Sequence, residues 1–173
     1  MRREPMSKQR GGIVGMVVFW VLLIGAGTWL IDGGFDKLMS PNAHIVSASQ
    51  GEPITLRRNR SGHYEAPGRI NGEPVDFLLD TGATYVAIPS HMAETLGLTP
   101  GRVAWFNTAN GRVEGALTQL DEVSLGGIRI ENVQGSLSPG MHDDKVLLGM
   151  SFLNLLDIKI QGGEMRLSVP DEG

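Results

Sequence analysis

The chain contains no cysteine, which excludes a disulfide framework and any thiolate metal site and leaves the redox compartment open. Aromatic residues make up only 6% of its 173 residues, while glycine occurs 24 times. That balance favours a turn-rich β protein over a helical one. Positive charge is also scarce once the N-terminus is passed. From residue 32 onward 11 Lys/Arg face 18 Asp/Glu, a formal balance of −7. This argues against a nucleic-acid partner, which requires a basic face. The four histidines, His44, His63, His91 and His142, lack ligand spacing, so no metal site is expected. There is no internal repeat, and the length fits one domain plus appendages.

What the chain does have, first, is one long apolar run. Residues 13–31 (IVGMVVFWVLLIGAGTWLI) carry no charge, and as a helix they would extend about 28 Å, close to the hydrocarbon thickness of a bilayer. Arg2, Arg3, Lys8 and Arg10 precede the run, against the single acid Glu4. A cleaved signal peptide has a shorter apolar core and a small-x-small site after it, and no convincing site follows here. A buried core helix without a polar face is unusual at the extreme N-terminus. The expectation is therefore an uncleaved, single-pass anchor in the inner membrane with its N-terminus in the cytoplasm. Residues 1–12 form the cytoplasmic tail, 13–31 the anchor and 32–53 a linker or stalk. The domain, 54–173, lies across the membrane, in the periplasm of a bacterium.

From residue 54 the pattern changes to short β runs broken by turn residues. Strands are expected at 54–58, 62–70, 74–79 and 85–88, with turns at 59–62 and at Asn71-Gly72. Ser90 is placed to cap a short helix, 91–96, that Gly97 ends. Two strands flank Ala109-Asn110-Gly111, a strong hairpin signal. Further hairpins are expected over Gly126-Gly127 (120–125 with 128–133) and Gly162-Gly163 (157–160 with 164–169). A buried strand at 146–148 leads into a helix at 151–156. About ten short strands in so few residues imply an all-β domain built as a small closed barrel, with one or two short helices.

Asp80-Thr81-Gly82 interrupts this pattern at a telling place. It follows the apolar segment 75–79 and leads into a second one, 83–88. A carboxylate presented by a tight turn between two buried segments is costly unless it is paired, hydrogen-bonded or put to work. The bland reading is an aspartate that simply caps a turn, which aspartate often does. Three other features favour the chemical reading: the apolar pair Leu147-Leu148 before Gly149 near the C-terminal end, the glycine-tipped hairpin between residues 105 and 118, and the distances between these parts.

With those parts in that order, residues 64–160 resemble the retropepsin-like aspartic proteases, the viral-type peptidases that act as homodimers. The uncharged run in front and the form Asp-Thr-Gly-Ala-Thr resemble the membrane-anchored bacterial branch of that family. The resemblance implies that Asp80 is the catalytic carboxylate and that Thr81, Gly82, Ala83 and Thr84 complete the active-site loop. It further implies that Ala109, Asn110 and Gly111 tip a flap over the cleft, and that Leu147, Leu148 and Gly149 support the loop from behind. The implied activity is peptide-bond hydrolysis without metal or organic cofactor. The implied partners are a peptide or protein substrate and a second copy of the chain, because one copy holds a single Asp-Thr-Gly.

Ala83 offers no hydroxyl to the carboxylate where pepsin-like enzymes have serine, so a pH optimum less acidic than pepsin's is expected. Thr84 and Met150 stand where the viral enzymes have an ion-paired Asp and Arg. Both are lost together, which leaves no orphaned charge, and neither the viral mode of dimer contact nor that of gripping peptide backbone is expected to carry over. Trp105 and Phe106, at the hairpin's base, either line substrate pockets or merely pack. Ser61, Ser90 and Ser151 have no nucleophile-elbow context. Asp121-Glu122 reads as the outer face of a strand, and Asp143-Asp144 as a solvated loop. A barrel of the same fold without activity, serving as an envelope peptide-binding or scaffold module, is the competing reading. A precursor that processes only its own stalk is a third.

Overall fold

The computed structural model describes residues 16, 18–24, 41, 42, 45, 49–108 and 111–170. The chain divides into two units, Met1–Met39 and Ser40–Gly173. In the first, residues 18–24 are helical, and their apolar side chains are exposed. The remainder of the expected anchor, apart from Met16, lies outside the described residues. Among the described residues no helix is long and apolar enough to cross a membrane.

The second unit is mostly β. Its strands are β1 (Ile54–Arg57), β2 (Glu65–Ile70), β3 (Glu73–Leu79), β4 (Val86–Pro89) and β5 (Val103–Thr108), followed by β6 (Gly111–Leu125), β7 (Ile128–Ser138), β8 (Lys145–Leu148), β9 (Asp157–Gln161) and β10 (Glu164–Ser168). Period-two alternation explains most of them. In β3, Val75, Phe77 and Leu79 are buried while Glu73 and Asp76 face water, as a half-buried strand requires. One sheet runs in the order β2-β3-β8-β4-β7-β6-β5, and β2 also pairs with β6. Six strands therefore close into a ring, with β5 attached outside it. Closure rests on two residue pairs, Arg69 with Ser124 and Ile70 with Val123.

Phe77, Ile88, Leu120, Val146, Leu148 and Phe152 are fully buried in the core; each large apolar side chain so placed contributes about 1.5–3 kcal/mol. A second, three-stranded antiparallel sheet, β1-β10-β9, packs Ile54, Leu56, Met165 and Leu167 into the same core. All five residues of its edge strand β9 are exposed.

The turns follow their chemistry. At Asn71-Gly72 both residues have positive φ (52° and 86°), the geometry that Asn-Gly hairpins favour. The Asn71 side chain then reaches beyond its own hairpin: its amide donates to the Leu96 carbonyl at 3.0 Å, and its oxygen accepts from the Glu122 N–H at 3.1 Å.

Three expectations need correction. The helix at 91–96 is only a 3-10 turn, Ser90–Met92, and Ser90 does not cap it; Pro89 occupies the cap position and no side-chain bond is made. The helix at 151–156 shortens to Met150–Leu153. The stretch read as a stalk contributes to the folded unit. Asn42 is buried, donating from its amide to the carbonyls of Arg57 (2.9 Å) and Glu65 (2.7 Å) and accepting from the Arg57 N–H at 2.7 Å. Ile45 joins the core. No periodicity marks two isolated side chains, so the pattern of that segment reads as unstructured.

Candidate active site

β3 carries its chain straight to Asp80. The strand lies parallel to β8 with Leu79 opposite Leu148, and the next amide, that of Asp80, donates to the Leu148 carbonyl at 3.2 Å. The backbone turns there: the Ala83 N–H donates to the Asp80 carbonyl at 3.2 Å, and the Gly82 N–H donates to Asp80 Oδ1 at 2.8 Å. A Cβ at residue 82 would sit 3.1 Å from that same carboxylate oxygen, so glycine is what lets the loop fold tightly around its own acid.

The expectation of a carboxylate between buried segments is met only on one side. Leu79 and Val86 are buried, but Asp80 is partly exposed and Thr81, Gly82 and Thr84 are exposed. The carboxylate is held from within and open outward.

Behind the loop run Leu147, which pairs with Leu78 and Ala87 in the sheet, Leu148, whose carbonyl holds the Asp80 N–H, and Gly149. Gly149 is buried against backbone: a Cβ there would run into the carbonyl oxygens of Tyr85 and Ala83. Immediately after it, the Met150 N–H donates to the Ala83 carbonyl at 2.8 Å and the Ser151 N–H to the Thr84 carbonyl at 2.9 Å. The Ser151 hydroxyl donates to the Gln134 carbonyl at 2.7 Å and accepts from the Val86 N–H at 3.0 Å. Ser151 thus ties three parts together, the loop through its N–H and β4 and β7 through its hydroxyl. It lacks the surroundings of a nucleophile and acts as a brace. Its partners lie 17 and 65 residues away in sequence, a separation that no local pattern reveals.

The hairpin between β5 and β6 forms as expected, with pairs from Val103–Ala116 to Thr108–Gly111. Gly111, at the end of that ladder, has φ 108°; Ala109 and Asn110 lie outside the described residues. Phe106 meets Tyr85 edge-on, with ring centroids 6.2 Å apart and planes at 84°. Trp105 lies on the opposite face of the hairpin, exposed, with the Arg112 guanidinium 5.1 Å from its ring centre. The two aromatics at the hairpin's base therefore differ: Phe106 faces Tyr85 and Trp105 faces water.

Among the described residues His63, His91 and His142 lie apart from one another in sequence, and His91 has a partner. His91 pairs with Asp144 at 2.9 Å on the surface, and no group of three metal-binding side chains occurs among the described residues. His44 lies outside them.

A family model for gag-polyprotein putative aspartyl proteases matches residues 66–155, a span that holds the Asp80 loop, the hairpin and the Leu147-Leu148-Gly149 support. Two bacterial relatives match most of the chain at 32% identity. One is an uncharacterized protein of Sinorhizobium encoded in the cobV 5' region, aligned over 90% of this chain and 67% of its own length. The other is the uncharacterized protein RP867 of Rickettsia prowazekii, aligned over 79% of this chain and 61% of its own. Among solved structures, a retropepsin-like aspartic protease from Rickettsia conorii is similar with a TM-score of 0.57 and 28% identity. The match covers 68% of this chain and 90% of that one.

Proposed function

We propose, starting from the fact that the chain belongs to the retropepsin-like aspartic protease family, that it is an aspartic endopeptidase whose site is completed by a second copy of itself. The observation that carries this reading is Asp80, clamped by the loop and left open on its outer side. One copy supplies one such acid, since the chain contains a single Asp-Thr-Gly. Two of these carboxyls about 3 Å apart cannot both ionise, so the pair holds one proton. The ionised member takes a proton from water, which attacks the peptide carbonyl. The protonated member donates to the developing oxyanion, and a proton passes on to the leaving amine. Closed two-fold symmetry brings identical acids together at the axis.

The edge strand β9 supports the existence of such a partner. Ile158 and Ile160 pair with the buried Leu167 and Met165, so they lie on the side of the sheet that packs into the core, yet they are 36% and 54% exposed. A strand with one edge unpaired among the described residues, and apolar residues on its inner face, is a surface that natural proteins cover or charge.

Residues 13–31 serve, in this reading, as a membrane anchor that leaves the barrel on the far side of the inner membrane. The uncharged run, its basic flank and the exposed apolar helix at 18–24 support it. Anchoring raises the local concentration of the barrels and favours pairing. Protease accessibility of a C-terminal tag in intact spheroplasts tests the orientation; a tag protected from outside contradicts it.

A barrel without activity is favoured by one feature, the bond from Gly82 to Asp80 Oδ1, which a purely structural turn aspartate would also make. Asp80→Asn separates the readings because asparagine retains the accepting oxygen and loses only the ionisable acid. The expected result is an intact fold with peptide cleavage abolished. Cleavage that survives the change refutes the catalytic role.

A further inference from the structure

The three-stranded sheet turns one face to the core and the other to water, and its outer face is charged against the trend of the chain. Ile54, Leu56, Met165 and Leu167 are buried, so period-two alternation sends Thr55, Arg57, Glu164 and Arg166 outward. Register sets Lys159 opposite Arg166 and Gln161 opposite Glu164. All six are exposed.

Two cross-strand rows result. In one, Arg57 stands opposite Glu164 with Gln161 beyond it. Arg57 Nε meets Glu164 Oε1 at 3.3 Å, so that row is balanced. In the other, Thr55, Arg166 and Lys159 stand side by side. Arg166 and Lys159 are cations set directly opposite each other, an arrangement that destabilises a sheet. Neither joins an ion pair among the described residues. Asp157, the remaining acid of this face, lies opposite Ser168 at the far end of the pairing. The two rows line an open hollow of about 290 Å³, formed by Thr55, Lys159, Gln161, Glu164 and Arg166. Two unpaired cations, a hydroxyl and an amide thus border one hollow, on a chain that from residue 32 onward carries 11 Lys/Arg against 18 Asp/Glu. Those are the donors that a phosphate group takes.

We infer that this hollow binds the phosphate of an anionic lipid headgroup and so seats the barrel on the membrane surface. The source of the phosphate rests on the anchor reading, and the peptidase reading is not needed. Asn42 is fastened to the same sheet through both backbone groups of Arg57, and only the ten residues 32–41 separate it from the apolar run. A chain of that length reaches at most about 36 Å, so an anchored chain holds β1 no farther than that from the bilayer. Pairing along β9 agrees with such docking. Two antiparallel copies of one strand are related by an axis normal to the sheet, so both outer faces look toward the same surface.

The test uses the full chain bound to phosphatidylcholine vesicles with or without phosphatidylglycerol. The chain has no cysteine, so Ser168→Cys places a single fluorophore on this face and outside the hollow. Lipids with a headgroup nitroxide quench it when the face lies on the bilayer. Quenching is expected with phosphatidylglycerol and not without it, and it should weaken as salt is raised. Lys159→Gln and Arg166→Gln should each lower the ratio of docked to undocked barrel about fivefold, and together about thirtyfold. Both variants should fold at least as well as wild type, because they remove a like-charge pair. Arg102→Gln, an exposed cation just before β5, should leave docking unchanged. Equal quenching in both lipids overturns the site, and so does an equal loss in Arg102→Gln. Inorganic phosphate exchanged for chloride at constant ionic strength should release the face by competing for the same donors; no release overturns the phosphate assignment. Phosphorus NMR reports inorganic phosphate directly, and its binding without docking gives the hollow to free phosphate and sinks the lipid. An alkaline wash scores insertion separately. Docking of a chain that the wash extracts sinks the anchor reading and spares the hollow; insertion without docking sinks the hollow alone.

Discussion

The Asp80 loop and the β9 edge are treated by this fold in opposite ways. Around Asp80, the N–H and carbonyl of Asp80 and of Ala83, the Thr84 carbonyl and the Val86 N–H have partners, and the partners sit on β8, the short helix Met150–Leu153 or the loop itself. Along β9, one edge pairs with β10 and all five residues remain exposed. In the proposed reading, polar connections hold the acid in place, and apolar surface is left where a partner would be accommodated. A catalytic group needs preorganised support, whereas an interface needs only complementary area and few polar penalties. The contrast can be broken from either side, and the changes rank by how deeply they cut into the fold.

Gly149→Ala is the harshest. Its new methyl would press into the carbonyl oxygens of Tyr85 and Ala83, backbone atoms that cannot swing aside. The expected cost is about 3 kcal/mol of stability, read as a lower urea midpoint. Peptidase activity should fall on the order of a hundredfold through displacement of the loop, as small misplacements of catalytic groups do. A variant with the wild-type midpoint would show that the loop is not clamped as described.

Ser151→Ala removes a smaller part of the same clamp. It strands the Val86 N–H and the Gln134 carbonyl, both bonded to the hydroxyl. Leaving such groups without partners costs about 1–3 kcal/mol. Ser151→Thr, which keeps the hydroxyl, should recover most of the stability in a urea titration. Equal losses for both variants would reassign the effect to packing.

These two residues also mark the limit of what was legible in the sequence. The glycine was readable because a Leu-Leu-Gly segment at that distance from Asp-Thr-Gly fits a known order of parts. The serine was not, because its bonds connect positions that no periodicity relates. The same division runs through the fold. β3 and the hairpin of β5 with β6 follow from alternation and turn residues, which are local. Closure of the barrel through Arg69–Ser124 and Ile70–Val123 is a long-range pairing of only two residues in each strand. The segment after Pro89 had the composition of a helix, yet it forms a 3-10 turn in a chain where Leu96 and Leu98 are buried and Asn71 takes the Leu96 carbonyl. Tertiary bonds overrode the local preference there.

Tyr64 is the flaw on the braced side. Its carbonyl accepts from the Leu79 N–H at 2.9 Å, next to the acid, but its hydroxyl is buried and finds no hydrogen-bond partner among the described residues. Removing an unsatisfied buried hydroxyl relieves its desolvation penalty. Tyr64→Phe should therefore stabilise the protein by about 1 kcal/mol, or roughly 2–5 °C in Tm. The ring that Arg58 covers at 5.4 Å is retained. A lower Tm would mean that the hydroxyl does bond in solution.

Ile160→Lys on β9 should disturb the single fold least and the proposed pair most. At an exposed edge the substitution is expected to change stability by no more than about 0.5 kcal/mol, because the isoleucine is already half in water. On a paired edge the lysine would carry charge into an apolar contact, the device by which natural sheets block edge-to-edge association. An antiparallel pairing of two β9 strands centred on Ile158 sets Asp157 opposite the partner's Lys159 at both ends, while one centred on Lys159 sets two lysines face to face. The first register is the one that charge permits. Sedimentation of the full chain in detergent should then show Ile160→Lys weakening self-association at least about tenfold, with peptidase activity falling in step at low protein concentration. If the variant associates and cleaves as wild type does, β9 is a bare edge for some other reason, and the second acid must be delivered through a different surface.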